Sequence, residues 1–126
     1  MPQKYLDELH KEYTKWTKAL NFYKDEIKTF KHRLEEIITQ NTKIEVTAQV
    51  EHFQNQFIRQ NEVIDILKHD IHEAEHKLVL NAKENNVATD HRKTEEDVAL
   101  AEQMTVFEKI YLDLKAEFSR FAADTL

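Results

Sequence analysis

Apolar residues enter this chain at intervals that alternate between three and four. In the first third they fall at Leu6, Leu9, Tyr13, Trp16, Leu20, Tyr23, Ile27, Phe30, Leu34 and Ile37. With a repeat of seven lettered a to g, these are the a and d positions of a helix packed along a left-handed supercoil. Residues 3–40 would then form a rod of roughly 55 Å, at 1.5 Å per residue. A second seam runs Val46, Val50, Phe53, Phe57, Gln60, Ile64, Leu67, Ile71, Ala74, Leu78, and a third Leu100, Met104, Phe107, Tyr111, Leu114, Phe118, Phe121. Gln60 is the polar exception, either a buried register-setting residue or one at the bundle edge. Near Val98 and Ala101 the phase slips, which predicts a local change of packing.

The polar interruptions set the boundaries. Gln40-Asn41 ends the first helix, and Thr42 with Glu45 forms a T-x-x-E capping box for the second. In "NAKENNVATDHRKTEED", Asn85 and Asn86 tolerate the left-handed conformation that ends a helix. Thr89 or Asp90 can cap the third helix, or Thr94 with the acidic residues behind it. The pattern predicts helices at about 3–40, 43–84 and 90–124. Short connections make antiparallel neighbours. The expected fold is all-α, a single-domain antiparallel three-helix bundle of coiled-coil character.

Beside the seams lie Phe22, Ile58, Val63, Ile66, Val106 and Ile110. Helices that touch two neighbours bury a wider stripe and can absorb such residues. Those left over form a patch for a partner or a second subunit. Trp16 reads as core, whereas Tyr13 and Tyr23 are placed to turn their hydroxyls outward.

Composition supports the helical reading and removes most chemistry. The chain has 126 residues, no Gly, no Cys and one Pro, at position 2. Without Gly, hairpins and phosphate-cradling loops lose their usual residue. Without Cys, and with Ser119 as the one serine, nucleophilic catalysis has little to work with. The formal charge is −6, spread as +1 over residues 1–40, −3 over 43–85 and −4 over 86–126. Such a balance repels a nucleic-acid backbone. Lys4, Lys11, Lys15 and Lys18 share one side of the first helix, but Glu8 and Glu12 interrupt it, which makes a solvated face rather than a lipid or phosphate patch. No apolar run has the length of a membrane span, and the N-terminus lacks the apolar core of a secretory signal, so a cytoplasmic protein is expected.

One stretch does look chemical. His72-Glu73-Ala74-Glu75-His76 reads as H-E-x-x-H, in which two His one helical turn apart hold zinc and the Glu acts on its water. His69 adds a third imidazole nearby. The heptad register sets all three His at b and f, facing water, whereas a hydrolytic zinc needs a third ligand and a dry cleft. Val79 and Ala82 stand where the longer protease motif has Gly and His. A di-iron centre is equally short of parts, because it needs carboxylates from four helices. His10, His32, His52 and His91 sit among charged neighbours, as surface residues do. No catalytic, cofactor or metal site is therefore assigned, and His72, His76 and His69 stand as the candidates should a metal bind.

The segments "FYKDEIKTFKHRLEEI", "QVEHFQNQFIRQNEVIDILKHDI" and "FEKIYLDLKAEFSRF" resemble those of small uncharacterised bacterial three-helix coiled-coil proteins. The resemblance extends over most of the chain and implies the bundle, with no assigned activity. In helix count and period alone the chain is also similar to a spectrin-type repeat. The expected role is a non-enzymatic protein–protein interaction or scaffolding module, without cofactor, nucleic acid or membrane, whose partner is another protein or itself as a homodimer. The alternative is a metal-binding protein, at its extreme a zinc hydrolase on the HEAEH stretch.

Overall fold

The computed structural model describes the backbone of residues 2–84 and 86–125, and the side chains of residues 6–80 and 95–125. Three helices account for almost all of it: α1 (Pro2–Gln40), α2 (Ile44–Glu84) and α3 (Asn86–Thr125). The seams explain why the helices form and how they pack. Leu9, Tyr13, Leu20, Ile27, Leu34 and Ile37 of α1 are buried against Val50, Phe53, Phe57, Ile64, Leu67 and Ile71 of α2 and Leu100, Met104, Phe107, Tyr111, Leu114 and Phe118 of α3. Trp16 is partly buried and packs against this core.

Contacts between helices fix the topology as up-down-up. Phe30 stacks near Phe57 and Lys24 reaches Asp65, so α2 runs back along α1. Phe53 meets Phe121 while Leu67 and Phe107 share one groove, so α3 runs back along α2. α3 consequently lies parallel to α1, with Tyr23 beside Phe107 and Tyr111.

At the first turn, Asn41 closes α1 by donating its Nδ2 hydrogen to the Ile37 carbonyl at 3.0 Å, which satisfies one of the free C-terminal acceptors. The α2 cap lies one residue later than the T-x-x-E reading placed it. The Thr47 amide donates to the Lys43 carbonyl at 3.0 Å, which makes Lys43 the capping residue, and the Thr47 hydroxyl bonds the same carbonyl at 3.1 Å. At the second turn the difference is larger. α3 is helical from Asn86, not from residue 90, so Thr89, Asp90 and Thr94 lie within the helix. The good helix formers between Asn86 and Asp97 carry the helix through these residues, since no Gly or Pro stops it. Asn85 and the side chains of the expected caps lie outside the described residues.

The expected slip of phase near Val98 does not occur. The third seam continues back from Leu100 to Asp97, a half-buried carboxylate at an a position, while Val98 is exposed. A search for apolar spacing misses a repeat whose inward residue is charged. Tyr13 is a further correction, because it is wholly buried instead of turning its hydroxyl outward.

Candidate functional site

Each helix carries its buried a and d stripe flanked by two shoulders. On α2 and α3 the e shoulder faces α1 and is occupied by polar contacts. Glu75 of α2 pairs with His10 Nδ1 at 2.5 Å. On α3, Tyr23 donates to Glu108 Oε2 at 2.5 Å, Tyr111 donates to Glu26 Oε1 at 2.9 Å, and Lys115 donates to the other Glu26 oxygen at 2.6 Å. The two Tyr–Glu bonds cross between α1 and α3, with the ring centroids 4.8 Å apart. Burial raises both phenols above their ordinary range, with the adjoining carboxylates adding to it, and Tyr23 is pushed up to about 12. These hydroxyls therefore hold their protons and fix the α1–α3 register.

Further along the same interface, Glu12 of α1 hydrogen-bonds Asp97 of α3. Burial raises both carboxyls. The bond and the charge of Asp97 raise Glu12 further, with Lys15 opposing, whereas the same bond lowers Asp97. Among the described residues Asp97 Oδ1 is buried without a hydrogen-bond partner.

The opposite shoulder, positions g and c, faces away from α1 and has no helix over it. There α2 and α3 leave a concavity of about 560 Å³. Its floor is Gln60, Leu67 and Phe107, and its walls carry Val63, Ile66, Val106 and Ile110. Ile66, Val106 and Ile110 remain 56%, 57% and 49% exposed. Gln60 is buried, at 6% exposure, beneath this groove. Beyond Ala99 the groove continues into a second concavity of about 290 Å³, walled by Asp70, Glu73, Lys77 and Glu96. One half is apolar and the other acidic. Of the apolar residues beside the seams, Val63 packs partly into the core, Ile66, Val106 and Ile110 gather here, and Phe22 and Ile58 stand exposed elsewhere.

The HEAEH stretch is split by the helix that carries it. His72 and His76 are exposed on the outer side of α2, as is His69 one turn earlier. Glu73, the residue the motif would use on a metal-bound water, lines the second concavity instead, and Glu75 turns to His10. Among the described residues no three His, Asp or Glu side chains converge as ligands of one ion. His32 and His52 are exposed, the latter edge-on to Phe53 at 5.2 Å, while the side chain of His91 lies outside the described residues.

Sequence reasoning named the groove residues one by one but not as a surface, because whether g and c positions are covered depends on how many helices pack against them. Among the described residues no helix is long and apolar enough to cross a membrane. Compared with known proteins, the chain matches no family model, no curated protein and no solved structure.

Proposed function

We propose that this protein is a non-enzymatic interaction or scaffolding module, working in the cytoplasm, that engages its partner through the α2/α3 groove. The observation that carries the reading is the cluster of Ile66, Val106 and Ile110, about half exposed, above a floor of buried residues. Apolar side chains gathered in a rimmed groove keep their hydration cost until something covers them, and sites of this kind mark protein contacts. A long bundle with a locked α1–α3 register is suited to presenting such a surface without changing shape.

The test places a photo-crosslinking amino acid at Val106 in the intact cell, with Lys11 on the exposed side of α1 as the control. Adducts of defined mass from position 106, absent from position 11 and lost when Ile66→Glu is added, are the expected result. No adduct from 106, or the same adducts from both positions, overturns the reading.

A further inference from the structure

We infer that the groove is covered by a second copy of this chain, laid antiparallel across the first about a two-fold axis. The inference rests on the interaction reading above and names its occupant.

The two exposed shoulders have a common centre. On α2 the c and g positions run Arg59, Val63, Ile66, Asp70, with their midpoint between Val63 and Ile66. On α3 they run Gln103, Val106, Ile110, Asp113, with their midpoint between Val106 and Ile110. Antiparallel packing brings these midpoints to one level, because Phe53 beside Phe121 and Phe57 beside Phe118 set the register of the two helices. A two-fold axis passing across both helices at that level sets α2 on α2 and α3 on α3, each pair antiparallel.

The side chains that then meet are matched in size and in charge. Val63 meets Ile66 of the second copy, Val106 meets Ile110, and Gln103 meets Asp113, to which its side-chain amide can donate. Arg59 meets Asp70, and Arg120 meets Glu96. Symmetry makes every such contact occur twice and closes the assembly at two chains, without an open end to propagate. The acidic half of the groove gives each copy's Arg59 end a destination: Asp70, with Glu73 on the next turn. Arg59 pairs with Glu62 at 3.3 Å, with both side chains well exposed, so little is lost when it turns to the second copy. The apolar centre supplies the attraction and the charges select the antiparallel direction.

Sedimentation equilibrium of the purified full chain tests this. The expected mass is twice that of one chain, reverting to one chain in Val106→Glu while helicity by circular dichroism is retained. Arg59→Asp and Asp70→Arg, made singly, each weaken the dimer on the order of tenfold, because each sets like charges opposite at two places. Combined, they restore it, because the pairing is reversed and not removed. Two outcomes overturn the inference: a monomer at every concentration, or a double variant weaker than either single one. A monomer that still gives groove-dependent adducts in the cell overturns the self-pairing alone and leaves the interaction reading standing, whereas a monomer without adducts overturns both.

Discussion

Where α1 ends and α2 begins, Phe30, Phe53, Phe57, Phe118 and Phe121 interlock, with neighbouring ring centroids 5.0–6.4 Å apart. Toward the opposite end, the inward positions of α2 and α3 hold Ala74, Leu78, Leu100 and the half-buried Asp97. Both regions obey the same heptad, yet one fills its layers with rings from all three helices, whereas the other sets Tyr13 and Trp16 of α1 against aliphatic residues and a carboxylate. A seven-residue repeat fixes direction and register, whereas side-chain volume and polarity set how firmly each layer is held. Stability along a rod of this kind is uneven, and the aromatic end should open last.

The comparison breaks most directly at Phe57, which is wholly buried. Phe57→Ala should cost about 3–5 kcal/mol in urea unfolding, while Ala74→Gly at the other end should cost only about 1 kcal/mol. Equal losses would show that the two ends share one evenly distributed core. Native-state hydrogen exchange sharpens the same point, with amides near Phe53 and Phe57 expected to exchange more slowly than those near Asp97 and Leu100.

Tyr111→Phe should cost about 1–2 kcal/mol, because it removes a buried donor from Glu26 and leaves that carboxylate with Lys115. An unchanged unfolding midpoint would mean the clasp is dispensable. Asp97→Asn should act in the other direction. A carboxyl whose proton affinity is raised by folding stabilises the native state below its ordinary aspartate range, and that contribution is lost as pH rises through the raised value. The wild type should therefore gain on the variant as the pH is lowered from neutral into the acid range, with the variant the more stable at pH 7. A constant difference across that range would refute the assignment of Asp97 as a partly desolvated charge.

The smallest effects belong to the outer faces. Val106→Glu should change the stability of the isolated chain by no more than about 0.5 kcal/mol, as surface substitutions do, despite abolishing the groove contact. His72→Ala should be equally mild. Because Glu73 faces the second concavity and Glu75 turns to His10, zinc titrated into the chelator-treated chain should bind weakly and without defined stoichiometry. Tight one-to-one binding lost in His72→Ala would instead assign the exposed imidazoles a site.

The heptads alone determined the helix count, the turn at Gln40-Asn41 and nearly every buried residue, because burial in a long bundle follows directly from a 3.5-residue period. They missed Asp97, since a charged residue at an inward position reads as a break in the pattern. They placed the third helix start too late, since Thr and Asp favour caps without requiring them. The Tyr23–Glu108 and Tyr111–Glu26 clasp joins residues 85 apart, beyond the reach of any local spacing. The groove was decided by tertiary structure in the same way. Val63, Ile66, Val106 and Ile110 are alike as letters beside a seam, and only the packing of α1 against the other shoulder leaves them uncovered together. A sequence states which side of each helix avoids water, but the number and placement of its neighbours decide how much of that side stays wet.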